Sequence, residues 1–160
     1  MTIKIVRVDY QNAQQAQDLI YCLNHYALDP MGGGEPLKQK VKENLIDALQ
    51  QQANVFSILA YVDGKPAGLI NCVDGFSTFS AAPLVNIHDV VVLKEYRGQS
   101  LTGKMFQLVE NIAKEKGAIK LTLEVLEGNN VAKKVYHRLG FAGYELDPAM
   151  GQAVFWQKTL

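Results

Sequence analysis

The chain is poor in cysteine. Cys22 and Cys72 stand far apart in apolar surroundings, which makes no disulfide framework and no metal-ligand spacing, and reads as two buried small hydrophobes. It has no excess of charge: 16 Lys and Arg balance 16 Asp and Glu, so no global field draws it to nucleic acid or to an anionic membrane. Local basic clusters at Lys38/Lys40/Lys42 and Lys133/Lys134/His137/Arg138 read as solvated helix faces. No apolar run approaches the ~20 residues of a membrane span. The first ten residues alternate like a strand and lack the apolar core of a signal peptide. A cytoplasmic location without membrane or nucleic-acid partners is the default expectation.

What is present is ordinary core material. The hydrophobic fraction is 48% and the charged fraction 20% over 160 residues, which suits a single domain over residues 1–160. Ile3, Ile5 and Val8 open a strand. Ala16, Leu19, Ile20 and Leu23 recur at helical spacing and predict a helix over 13–28. Asp29-Pro30-Met31-Gly32-Gly33-Gly34-Glu35-Pro36 must break it, and Leu37, Val41, Leu45, Ile46 and Leu49 mark a second helix. Residues 55–62 and 66–73 read as strands joined by an Asp63-Gly64 hairpin turn. A loop through Phe79 to Pro83, a strand over 84–92, and a helix with Leu101, Met105, Leu108, Val109 and Ile112 on one face follow, ended by Gly117. A strand over 119–126, a short helix from Asn129 to Leu139, and a pair of strands at 141–146 and 153–158 complete the order β-α-α-β-β-β-α-β-α-β-β. Antiparallel hairpins ahead of one βαβ crossover predict a mixed sheet.

The stretch Asn86 to Lys104 carries the chemistry. An apolar strand runs into a short polar loop and then into a helix, and a helix N-terminus of that kind offers unpaired amides to a phosphate or pyrophosphate. Gly98-Gln-Ser-Leu-Thr-Gly103-Lys104 matches the P-loop pattern, but Met105 follows, and a thioether cannot hold Mg²⁺ as Ser or Thr would. Five residues, Leu93 to Arg97, also separate the strand from the first glycine.

Read instead from Tyr96-Arg97-Gly98, the segment resembles the GNAT superfamily of acetyl-CoA-dependent N-acetyltransferases, whose motif is Arg/Gln-x-x-Gly-x-Gly/Ala. Arg97 fills the first place, Ser100 and Thr102 stand for the two glycines, and Lys94 stands where proline is common. Asn129-x-x-Ala132-x-x-x-Tyr136-x-x-x-Gly140-Phe141 is similar to the second GNAT segment, with all five named residues in register. Asn129 and Tyr136 lie two helical turns apart on one face. The resemblance covers roughly residues 54–160.

That resemblance implies an α+β (α/β) fold: a mixed, mostly antiparallel sheet of about seven strands with about four helices, splayed between the strands at 84–92 and 119–126. It implies acetyl-CoA as donor and no metal. Backbone at Val90, Val91 and Val92 would hold pantetheine. Arg97, Gly98, Gln99, Ser100, Leu101, Thr102, Gly103 and Lys104 would cradle the pyrophosphate, with Asn129 and Lys133 adding cofactor contacts. Tyr136 would protonate the departing thiolate, since an unperturbed tyrosine is protonated at neutral pH; a core aromatic on the helix is its alternative. The acceptor would be a small-molecule primary amine, and C-terminal strand pairing would suit a homodimer.

The base is open. By the period of two, Asn86, His88 and Val90 share a strand face. Asn86 lies near the place where the family often has Glu and cannot itself be a base. His88 is the best substitute, its ordinary pKa near 6.5 suiting proton acceptance at neutral pH. Asp89 faces the other side unless a bulge rotates it, and a water chain is a third route. The glycine loop is expected to wall the acceptor pocket, as a lid with Glu35 receiving a cationic amine or as a plain turn. Phe76, Phe79 and Tyr144 are expected to be packed in the core or to line the acceptor site, and Trp156 to serve packing or a dimer. A GNAT-like domain that senses acyl-CoA without turnover is the alternative function.

Overall fold

The computed structural model describes residues 1–160 as two compact units, 1–123 and 124–160. In the first, β1 (Ile3–Arg7), α1 (Ala13–Leu28), α2 (Gln39–Gln50), β2 (Val55–Val62), β3 (Lys65–Ser77), β4 (Ala82–Val92), α3 (Leu101–Glu115) and β5 (Leu121–Leu123) follow in that order. The five strands make one sheet in sequence order. The three pairs from β1 to β4 are antiparallel and β4–β5 is parallel, so the sheet is mixed and mostly antiparallel.

Local chemistry explains the boundaries. Asn12 caps α1, its Oδ1 accepting from the Gln15 amide at 3.0 Å, and Pro30 stops the helix one residue after Asp29. Asp63 and Gly64 both take positive φ, 48° and 79°, the two-residue turn whose twist suits a hairpin. Gly117 adopts φ 73° beyond α3, and the Ala118 amide reaches back to Ala113 O at 2.9 Å, closing the helix in a left-handed cap.

The sheet buries both faces. Leu59, Leu69 and Val91 pack with Leu19 and Cys22 of α1, and with the half-buried Leu45, Ile46 and Leu49 of α2. α3 packs against β2 and β4, burying Leu101, Met105, Val109 and Ile112 at the helical spacing read from sequence, with Phe106 buried as well and Leu108 only half-buried. Both cysteines are buried and unpaired.

Three expectations change. β3 continues to Ser77 because Asp74 and Gly75 do not end it: they pair with Val85 and Leu84, and Lys116 Nζ holds Asp74 Oδ2 at 2.6 Å. Residues 82–92 and 65–77 therefore form one long hairpin, and Phe76 and Phe79 near its tip are exposed, not core. β5 keeps only three residues of the expected 119–126. In the second unit, α4 (Asn130–Arg138) is capped by Asn129 and followed by Gly140 at φ 92°. Beyond it the expected strands at 141–146 and 153–158 reduce to one antiparallel bridge, Glu145 with Gln152. Asp147-Pro148 starts a 3-10 turn over Pro148–Met150, and proline has no amide for a ladder. The sheet thus has five strands, with four α-helices in the chain. No helix is long and apolar enough to cross a membrane.

Candidate functional site

The site is built on β4, and one residue of β4 governs it. Asp89 pairs with Asn71 of β3, and Ile87 pairs with Cys72. His88 is left between them without a partner, a β-bulge. A bulge shifts the side-chain alternation by one. Val85 and Ile87 are buried before it, and Val91 is buried in the opposite core after it. Asn86, His88 and Val90 therefore do not share a face. Asn86 and Asp89 do, on the side of α1 and α2, while His88 is exposed at the bulge.

The bulge also marks where β4 and β5 part. Their pairing runs Val85–Leu121, Asn86–Thr122, Ile87–Leu123 and ends there, while β4 continues to Val92. The Leu93 amide donates to Ala67 O on β3 at 2.9 Å. Alternation then turns the backbone groups of Val92 and Val90 to the other edge, away from β3. Edge groups that no neighbouring strand pairs can hold amides of an extended ligand, and on this edge Val92 O already accepts from Arg97 Nε at 3.1 Å.

After β4 the chain makes a 3-10 turn, Lys94–Tyr96, before Arg97. Leu93 is buried, and Tyr96 packs against the same apolar cluster, so the loop springs from a fixed base. Gly98 takes φ 81° and Ser100 takes φ 59°, ψ 20°. Ser100 thus holds the left-handed conformation that favours glycine, at the place where the motif has one. Its side chain makes no cap. The first helical bond runs from Lys104 N to Ser100 O at 3.2 Å, so the amides of Leu101, Thr102 and Gly103 have no helical acceptor. Those amides and the positive end of α3 suit an anion.

Arg97 is tied down. Its Nε donates to Val92 O at 3.1 Å, and its Nη2 reaches Asp29 Oδ2 at 3.3 Å. Asp29 also accepts from the Met31 amide at 2.9 Å. That amide, and secondarily the Arg97 guanidinium, holds its carboxyl below the usual carboxylate range. The glycine segment is a wound turn: a 3-10 turn over Pro30–Gly32, with the Gly32 and Gly34 amides both donating to Asp29 O. A Cβ on Gly32 would sit 1.9 Å from Tyr26 O, so only glycine fits. Leu37 N is anchored on Asn24 Oδ1 at 3.0 Å. Glu35 is exposed. Tyr26, near the end of α1, has its phenol pushed up by burial, with the negative charges of Asp89 and Asp29 adding to it.

Asn86 donates to Thr122 Oγ1 at 2.9 Å across the parallel pair. In the second unit, Asn129 Oδ1 accepts from the Ala132 amide at 3.2 Å, and Lys133 Nζ reaches Glu127 O at 3.2 Å. Tyr136 meets the Phe141 ring edge-on at 6.0 Å between centroids, and the Phe141 amide closes on Tyr136 O at 3.0 Å. Asn129 and Phe141 thus bound the helix that carries Tyr136. Burial pushes the thiols of Cys22 and Cys72 up to about 12, which leaves neither a nucleophile.

Sequence reasoning missed Asp29 and Asn71. The signal for Asn71 was present, since an amide interrupts the apolar run Leu69-Ile70-Asn71-Cys72-Val73. Asp29 looked only like a turn residue before proline.

Comparison with known proteins bears on the family and the fold. The model of the acetyltransferase (GNAT) family matches residues 20–141. Thialysine N-epsilon-acetyltransferase of Bos taurus is 36% identical over 83 residues, 48% of each chain, so the match spans about half the length of that relative. Among solved structures, an aminoglycoside acetyltransferase from an uncultured soil metagenomic sample superposes with a TM-score of 0.78 at 21% identity, covering 99% of this chain and 96% of that one. AAC(6')-Iy, solved with a bisubstrate analog of CoA and acetylneamine, superposes equally well at 16% identity over the whole of both chains. At such identities the structural likeness speaks for the fold.

Proposed function

The chain belongs to the GNAT acetyltransferase family, and from that premise we propose that it is an N-acetyltransferase, moving the acetyl group of acetyl-CoA directly to a primary amine of a small molecule. Residues 1–160 act as one catalytic domain in this reading, in the cytoplasm and as a homodimer. The observation that carries it is the β4 edge at Val90 to Val92, free of β5, running into a loop and helix start whose amides lack helical acceptors.

Pantetheine amides pair with the Val90–Val92 backbone. The pyrophosphate takes the amides of Gly98 to Lys104, with Arg97, Asn129 and Lys133 supplying polar contacts. The amine nitrogen attacks the thioester carbonyl, the C–S bond breaks, and the CoA thiolate takes the Tyr136 hydroxyl proton. The proton lost by the amine goes to His88, which stands at the bulge and is open to solvent. Glu35 and Asn86 face the acceptor. The acceptors of the relatives, thialysine and aminoglycosides, support a cationic small molecule. The P-loop reading falls away with the family match.

Thermal shift tests the donor. At 100 times its Kd a ligand stabilises by about 2.7 kcal/mol, a rise of about 5–10 °C for a chain of this size. Acetyl-CoA and CoA should give it and Mg-ATP should not; the reverse pattern sinks the proposal. Release of CoA thiol is then followed with thialysine, neamine and a peptide with a free N-terminus. Acetyl-CoA binding without release for any amine would mark a non-catalytic sensor. Tyr136→Phe should lower kcat about 100-fold where chemistry limits the rate, and an unchanged kcat would remove Tyr136 as the acid.

A further inference from the structure

A run of four polar side chains crosses the apolar sheet face beneath α1 and α2. The Tyr10 hydroxyl lies 2.8 Å from Ser57 Oγ. Ser57 Oγ donates to Asn71 Oδ1 at 2.6 Å, and Asn71 Nδ2 donates to Asp89 Oδ2 at 2.9 Å. The directions are forced. A carboxylate only accepts, so the Asn71 amide presents its nitrogen to Asp89 and its oxygen to Ser57. Ser57 gives its single proton to Asn71 and therefore accepts from Tyr10. Every donor runs one way, and the run ends on an anion.

This arrangement is unusual for its setting. Ser57 is 1% exposed, and Leu59, Leu69 and Val91 on the same face are buried. Apolar residues of similar shape would fill the interior of that face with little or no loss of stability. The run is no proton wire either, because the amide in its middle does not pass a proton on. What it does is fix a carboxylate in place. Asp89 reaches this face only through the bulge at His88, which places it beside the strand edge where β4 and β5 part. Its Oδ2 is held by Asn71, while its Oδ1 accepts from no protein donor.

We propose that Asn71 is a positioning residue that sets the Asp89 carboxylate to take the ammonium group of the acceptor, with Ser57 and Tyr10 behind it holding the amide in register. This rests on the acetyl-transfer reading above, since it needs an amine at the site. It assigns a cationic amine as the substrate class and puts a recognising charge on β4.

The test is steady-state kinetics of the full chain with acetyl-CoA and either thialysine or neamine. Asn71→Ala should raise KM for the amine about tenfold, the weight of one charge-assisted hydrogen bond, with kcat and KM for acetyl-CoA within about twofold of wild type. Asp89→Asn should raise the same KM, and the double variant should lose no more than Asp89→Asn alone. Tyr10→Phe, which removes one hydroxyl at the far end, should raise it about two- to threefold and stands in if Asn71→Ala does not fold. An unchanged amine KM, equal rises in both KM values, or additive losses would overturn the positioning role. If wild type binds acetyl-CoA but releases no thiol, amine Kd by calorimetry replaces KM, and no amine binding overturns the Asp89 assignment. Failure of wild type to bind acetyl-CoA is a different result and removes the functional reading itself.

Discussion

Ser100→Gly should make the protein more stable, although Ser100 stands at the N-cap position where serine is ordinarily favoured. The reason is its backbone. At φ 59°, ψ 20° a Cβ crowds the following carbonyl, at about 1–2 kcal/mol for an L-residue. Glycine relieves that and gives back about 0.5–1 kcal/mol through its freer unfolded chain. The net gain is about 0.5–1 kcal/mol, or roughly 1–4 °C in Tm for a domain of this size. The usual argument for serine does not apply, because its hydroxyl makes no cap bond here. Ser100→Ala should therefore stay within about 0.5 kcal/mol of wild type, against the loss of about 1 kcal/mol typical of a working cap. Gly and Ala both lack the hydroxyl, so the difference between them isolates the backbone. Thermal unfolding of the three proteins, each with and without acetyl-CoA, gives the answer. The Gly variant should also keep the ligand-induced rise, since its loop amides are placed as before. A Gly variant that melts below wild type, or an Ala variant that loses a full kcal/mol, would refute the reasoning and make Ser100 a cap.

Two further outcomes follow from charge and burial. Asp29 is held below its ordinary pKa in the folded state, so its contribution is complete above the unfolded carboxyl value of about 3.9 and is lost as pH falls through the folded value. The gap in urea midpoint between wild type and Asp29→Asn should accordingly be largest at neutral pH and close toward pH 3; a gap that is constant or widens in acid contradicts the assignment. Burial raises both thiols to about 12, so a thiol reagent at pH 8 should leave the native protein untouched and titrate Cys22 and Cys72 only in denaturant; rapid labelling of native protein would count against their burial.

The helices and the early strands were legible because each is decided locally. α1 runs over the predicted 13–28, and β2 over 55–62, since periodicity and the Asp29-Pro30 and Asp63-Gly64 breaks act within a few residues. β3 outran its predicted end because tertiary partners overrode a local signal. Asp74 and Gly75 look like breakers in isolation, but Lys116 from beyond α3 holds the Asp74 carboxylate in place. The C-terminal strands failed in the opposite direction, where alternating apolar residues promised a hairpin that Pro148 and Gly151 reduce to a single bridge. The loop between β4 and α3 was legible from the motif, but the left-handed turn at Ser100 was not, because nothing in a serine announces positive φ.

The bulge marks the limit of what such a reading can reach. His88 is extra only relative to β3, and no pattern within Asn86 to Val92 says which residue the pairing will leave out. The consequences are nonetheless discrete. A slip of one residue reverses every side chain beyond it, so the expectation that Asn86, His88 and Val90 share a face fails as a unit. Asp89 crosses to the face where Asn71 waits. The same residue stands where β4–β5 pairing ends, at Ile87 with Leu123. An open strand edge and a carboxylate aimed beside it thus have one common cause. Removing His88 by deletion would therefore be expected to disturb both together, whereas replacing its side chain leaves the backbone arrangement in place and changes only the imidazole. That separation is what makes side-chain substitution at His88 a clean probe of its role as base.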